Sequence, residues 1–253
     1  MNLHANYSGV LNTIKSHKLC GASESDFLYL VEYHIGYTRR GPLNFGRGYY
    51  LRNGTTFKDD ILTATGQDFR FPLLVSFVNP VTIVKIPPLE TAENPRDLVD
   101  EVLDAGTTQE HGVTFRFSIE VGVKEMQRET FEWRRAAASS GRQDNEEGTG
   151  HKVKSLYTLH RLAHGYTAAS TSTSPPSSGV AGAPDVVAML AFNSVLSFTH
   201  LFTLELKGAG LTGELGDRWT LTAVTTALTI HLLRQLGKTP GASAGSPQKS
   251  NGK

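Results

Sequence analysis

A mainly β (α+β) protein, an antiparallel β-barrel of about 10–12 strands enclosing a hydrophobic C-terminal helix, is the fold this sequence predicts. Three observations lead there. About ten runs rich in β-branched and aromatic residues follow one another, divided by Gly, Pro and Asn. Trp219 to Leu233 is a stretch without formal charge, apolar or Thr apart from one His. Its apolar residues fall on every side of a helical wheel, so the helix has to be enclosed all round rather than laid on a surface.

The helix is bracketed by signals at both ends: Asp217 as a plausible N-cap, Gly237 with Lys238 behind it as the stop. Trp219, Leu221, Val224, Leu228, Ile230 and Leu232 are its expected core residues. At about 1.5 Å per residue the uncharged part spans roughly 22 Å, short of the ~30 Å of a bilayer's hydrocarbon layer. Arg218 and Arg234 limit extension, and Thr at 220, 222, 225, 226 and 229 lowers the hydrophobicity. Protein is therefore the expected enclosure, with a tail anchor through 219–233 as the alternative.

Residues 1–26 show no clear pattern and read as a poorly ordered N-terminal segment, and 27–237 as one barrel domain. Within it Phe27 to Ile35, Gly48 to Arg52, Ile61 to Thr65, Phe69 to Phe77 and Val81 to Ile86 read as strands, punctuated by Asn53-Gly54, Asn79-Pro80 and Pro87-Pro88. Asn94, Pro95 and Asp97 make a helix start, and Leu98, Val99, Val102 and Leu103 one apolar face before Gly106, which predicts a short amphipathic helix. The cleanest strand follows, with Val113, Phe115, Phe117, Ile119 and Val121 alternating with Thr114, Arg116, Ser118 and Glu120. Met126 to Arg135, Val153 to Leu162, Val186 to Asn193 and Leu201 to Lys207 are further strands. Residues 136–150 and 164–184 read as flexible insertions and 238–253 as a disordered tail, dominated by small and polar residues.

The 253 residues, 39% of them hydrophobic, suffice for a core, and a net charge of +1 gives no global field for nucleic acid or membrane. No nucleic-acid partner is expected. Cys20 is the only cysteine, which excludes an intramolecular disulfide. The first twenty-five residues contain Val10, Leu11, Ile14 and Leu19 but no continuous apolar run of signal-peptide length, so a cytoplasmic or nuclear location is expected, with membrane association as the alternative.

Phe131-Glu132-Trp133-Arg134-Arg135, and the run from Phe202 through Gly208-Ala-Gly-Leu-Thr-Gly213 to Trp219 before a greasy helix, carry a resemblance. With the β-rich body, they resemble a group of fungal proteins that are in turn similar to the tubby C-terminal-like barrels, which include phospholipid scramblases and LURP-one-related proteins. The resemblance covers roughly Phe27 to Gly237 and implies a sheet closed around a hydrophobic C-terminal helix. It also implies phosphoinositide recognition by basic residues, though no Lys or Arg here aligns to a tubby site. Scramblase-type calcium ligands and palmitoylated cysteine clusters find no counterpart.

Gly208-Ala-Gly210-Leu-Thr-Gly213 fits a dinucleotide fingerprint, yet no Asp or Glu occurs after Asp217 and no second parallel strand follows, so it reads as a tight glycine turn. His160 and His164 have the spacing of zinc ligands but lack an intervening general-base Glu. No Gly-x-Ser-x-Gly elbow is present, and Asp59-Asp60 and Glu146-Glu147 read as solvated pairs. No metal, cofactor or catalytic group is assigned; an unrecognised hydrolase stands as a further alternative, because triads assemble from residues distant in sequence. Arg39, Arg40, Arg47, Arg52 and Lys58 cluster within twenty residues among Tyr37, Phe45, Tyr49 and Tyr50, with Arg134, Arg135, Lys152 and Lys154 flanking an insertion. The expected function is a non-catalytic binding or scaffold module, with the Arg39–Lys58 cluster recognising an anionic ligand, a phosphoinositide or an anionic membrane surface.

Overall fold

The computed structural model describes residues 2–7, 16–23, 25–34, 48–67, 82–89, 97–123, 125–136, 155–162, 185–192 and 201–235. Among these residues there are twelve strands: β1 (Asn2–Tyr7), β2 (Ser16–Cys20), β3 (Phe27–His34), β4 (Gly48–Arg52), β5 (Ile61–Gln67), β6 (Thr82–Ile86), β7 (Val99–Thr108), β8 (Gly112–Val121), β9 (Gln127–Arg135), β10 (Ser155–Leu162), β11 (Asp185–Phe192) and β12 (Phe202–Leu206). Two helices follow, α1 (Gly208–Thr212) and α2 (Gly216–Gln235). Each strand pairs antiparallel with its chain neighbours, and β1 pairs with both β2 and β12, which closes the sheet into a barrel. Closure leaves no sheet edge among the described strands, which protects their backbone ladders from pairing with another chain.

α2 fills the barrel. Trp219, Val224, Leu228, Ile230 and Leu232 are buried and Leu221 partly so, packed against Phe115, Phe117, Phe131, Leu159, Leu190 and Leu204 of the inner wall. The helix is thus wrapped by protein, and no described helix is long and apolar enough to cross a membrane. Its threonines are compatible with burial because each hydroxyl donates back to a helix carbonyl: Thr222 to Arg218 at 2.9 Å, Thr225 to Leu221 at 2.7 Å, Thr226 to Ala223 at 3.1 Å and Thr229 to Thr225 at 3.0 Å.

With those protons committed, the same oxygens can only accept from the wall. Thr63 reaches Thr225 at 2.8 Å, Thr65 reaches Thr229 at 2.6 Å, and Trp133 Nε1 donates to Thr226 at 3.0 Å. The spacing explains the pairing. Two residues along a strand advance about 6.7 Å and four along a helix about 6 Å, so i, i+2 on β5 matches i, i+4 on α2 when the two run in the same direction. These bonds fix the helix's axial register inside the barrel.

Several sequence expectations are corrected. Residues 97–103 are not a helix: Val99 begins the ten-residue strand β7, whose only buried residue is Leu103 and which lies between β6 and β8. The N-terminal segment 1–26 is not patternless; it supplies β1 and β2, the strands that close the barrel. The glycine turn at 208–213 forms the short helix α1, ended by Gly213 at φ 82°. There Gly210 is required sterically, since a Cβ would come within 2.4 Å of Val187 O and 2.6 Å of Trp219 Cη2. Asp217 lies inside the first turn of α2 rather than capping it. The run Phe69 to Phe77, most of 136–150, the whole of 164–184 and the tail 238–253 lie outside the described residues.

Candidate functional site

Strand direction assigns the described strand ends to one or other end of the barrel. α2 runs parallel to β5, so the C-terminal end of α2 shares an end with the last residues of β1, β3, β5, β7, β9 and β11 and the first residues of the strands that follow them. His34, Gly48, Ser155 and Phe192 are therefore at this end. At the other end the described residues are acidic in balance, Lys58 and Lys207 against Asp26, Asp59, Asp60, Asp97, Glu125 and Glu214.

The predicted basic cluster lies only partly within the described residues. Arg39, Arg40 and Arg47 lie outside the described residues, in the connection that leaves from His34 and returns at Gly48. Arg52 lies four residues along β4, about 13 Å away along the strand. It is committed to its own wall: Nη2 and Nε contact Glu32 Oε2 at 2.5 and 3.1 Å, and Nη1 donates to Asp59 O at 3.0 Å. Lys58 is exposed in the 53–60 turn beside Asp59 and Asp60, at the acidic end. Arg52 and Lys58 are the two of the five that lie among the described residues.

Other wall charges are paired as well. Glu132, only 3% exposed, lies between Arg116 at 2.7 Å and Arg134 at 2.7 Å. Burial alone would raise its pKa, but the two guanidinium groups outweigh that and hold the carboxyl below the usual range. Arg161 grips Glu129 through two 2.6 Å bonds. Glu101 and Glu120 share Arg128 and Arg218, and Arg218 also donates to Pro87 O, which ties the first turn of α2 to the β6–β9 wall.

Arg234 differs. In the last turn of α2 it is partly buried, its guanidinium carbon 4.7 Å from the Phe192 ring centroid, and Nη1 donates to Ser155 Oγ. Ser155 and Phe192 are cross-strand partners on β10 and β11, which fixes both under the same guanidinium. No carboxylate among the described residues is within ion-pair distance of it. Burial lowers its pKa and the nearby Arg135 lowers it further, with Tyr157 acting in the opposite direction.

At the same end, Tyr49 OH donates to Gln235 Oε1 at 3.1 Å and faces His231 Nδ1 at 3.2 Å and His17 Nε2 at 3.4 Å. With the phenol proton on Gln235, the two imidazoles present N–H groups to its oxygen. Burial depresses His17 to about 4, and depresses His231 to about 3 with further contributions from His17 and Arg234. Both rings are neutral at physiological pH.

The remaining candidates find structural places. His160 is on β10, its Nε2 2.8 Å from Thr158 Oγ1, and His164 lies outside the described residues. Cys20 is buried. Asp59 accepts from the Thr56 N–H and hydroxyl at 2.7 and 2.9 Å, a turn-forming role. Arg234 was missed in sequence because a base in the last helical turn is the ordinary complement to the helix dipole. Comparison with family models, with curated proteins and with solved structures finds no match to this chain.

Proposed function

We propose that this chain is a non-catalytic binding module of the tubby C-terminal-like kind, acting in the cytoplasm or nucleus and recognising an anionic ligand, a phosphoinositide-bearing membrane surface foremost, at the barrel end where α2 finishes. The carrying observation is that α2 fills the barrel, which leaves recognition to its outer surface, while His34 and Gly48, the described residues that flank the run 35–47, are at the end where α2 finishes. In sequence that run holds Arg39, Arg40 and Arg47 and no acid. A basic run of this kind is attracted to an anionic surface at a free-energy gain that falls with ionic strength. Filling of the interior by α2 supports recognition at an end rather than within the barrel. The β-barrel closed on a hydrophobic C-terminal helix is what the family reading calls for.

Vesicle sedimentation tests this reading. With the full chain and phosphatidylcholine vesicles, adding a phosphoinositide should increase the bound fraction. Reversing Arg39, Arg40 and Arg47 together to Glu should abolish the increase, while Lys58→Glu, at the acidic end, should leave it intact. Equal binding with and without phosphoinositide, or survival of the triple reversal, overturns the proposal.

A further inference from the structure

We infer that Arg234 and Ser155 form a seat for a single oxyanion of the phosphate class at the barrel end where α2 finishes. The inference deepens the anion-binding reading but rests on different residues. Arg52, Arg116, Arg128, Arg134, Arg161 and Arg218 each contact a Glu within 4 Å. Arg234, more enclosed than a surface side chain, contacts none among the described residues. A partly buried cation without a counter-ion is unfavourable, because burial removes water that the ion pair would otherwise replace. The C-terminal end of α2 supplies roughly half a negative charge, spread over several carbonyls. That does not neutralise a full guanidinium with a second one near enough to lower its proton affinity.

The local chemistry is suited to an oxyanion. The Arg234 guanidinium carbon lies over the Phe192 ring, 4.7 Å from its centroid, a cation–π contact that leaves the N–H groups free to bond elsewhere. Nη1 spends one N–H on Ser155 Oγ, and the remaining donors form the planar fork that matches two oxygens of a phosphate. Because Ser155 Oγ accepts from Arg234, its own proton is available to donate to the same anion. Phe192 and Ser155 are held in cross-strand register, and Tyr157 and Phe202 pack on Phe192, so the floor is rigid before a ligand arrives. A phosphate monoester in solution and a phosphorylated lipid headgroup present the same group, and the experiment separates them.

The full chain is titrated with inorganic phosphate, at ionic strength held constant with chloride, following arginine side-chain Nε–Hε resonances by NMR. The same proteins are then sedimented with phosphoinositide vesicles. A saturable phosphate-specific shift of the Arg234 resonance is expected, with the dissociation constant raised about tenfold or more in Arg234→Gln. Where that variant does not melt cooperatively, Ser155→Ala is read instead, with a loss of at least about threefold expected. No phosphate-specific shift in the wild type, or an unchanged constant in the folded variant, overturns the inference. Vesicle binding that survives Arg234→Gln while free phosphate fails to bind sinks this seat and leaves the function proposed above standing. Free phosphate bound at Arg234 with no vesicle binding does the opposite.

Discussion

At the scale of single residues the chain shows how buried polar groups take their properties from their neighbours. His17 and His231 are 2% and 5% exposed, and both are depressed well below the ordinary histidine value of 6.5. A depressed base means the unfolded chain binds protons that the folded one refuses. Stability is therefore full above pH 6.5 and falls as the pH drops through the window from 6.5 to about 4, by about 1.4 kcal/mol per pH unit for each histidine. Glu120 and Glu132 carry lowered values, so their contribution is lost only at more acidic pH. Urea denaturation at pH 7 and pH 5 checks this: a clear fall in midpoint at pH 5 is expected, and identical midpoints would show that the His17–Tyr49–His231 cluster is hydrated. Trp219 is the contrasting case. Its Nε1 is buried with no acceptor among the described residues, and Gly210 pressed against the ring shows that close packing of the indole face governs the position.

At the scale of elements, the helix is held by directional bonds as much as by oil. Thr226 is the acceptor for the Trp133 indole N–H, in a wall residue that is fully buried. Thr226→Val keeps the shape and removes that acceptor, leaving a buried donor unsatisfied at a cost of about 1–3 kcal/mol. Chemical denaturation should show that loss, and an unchanged midpoint would mean the bond contributes nothing. Elements were legible where one face is core. β8 alternates because five of its side chains meet the interior or its margin, and α2 was legible because every residue from Thr222 to Leu233 is buried, on all sides of the wheel. β7 was misread for the converse reason. Val99 and Val102 are 37% and 45% exposed and only Leu103 is buried, so the strand has no alternation to show, and its apolar spacing imitates a helical stripe. β2 is buried at Ser16, His17, Leu19 and Cys20, a pattern set by barrel closure rather than by a hydrophobic period. Of the predicted basic cluster only Arg52 and Lys58 are described, and the ion pair of Arg52 with Glu32 was not legible because the two are twenty residues apart in sequence and meet only through the pairing of β3 with β4.

For the whole molecule, one helix serves as the core that twelve strands share, and its loss cannot be absorbed locally. Leu228 is at its centre, 1% exposed. Replacing it by Ala removes apolar area and leaves a cavity, costing about 2–5 kcal/mol, which a domain of ordinary stability survives. Replacing it by Asp instead introduces a group that must either keep its charge away from water or bind a proton against its ordinary pKa, and the added cost of several kcal/mol is comparable with the entire stability of a domain. Leu228→Asp should therefore yield no cooperative melt, and Leu228→Ala a lowered but cooperative one. Leu211→Asp is the control, since Leu211 is 58% exposed on α1 and lies off the shared core. That change should stay within about 0.5 kcal/mol of the wild type. A soluble Leu228→Asp protein melting like the Leu211→Asp control would mean that the strands close on one another without the helix. The axial register set by Thr63, Thr65 and Trp133 would then not be what seats Arg234 against Phe192 and Ser155.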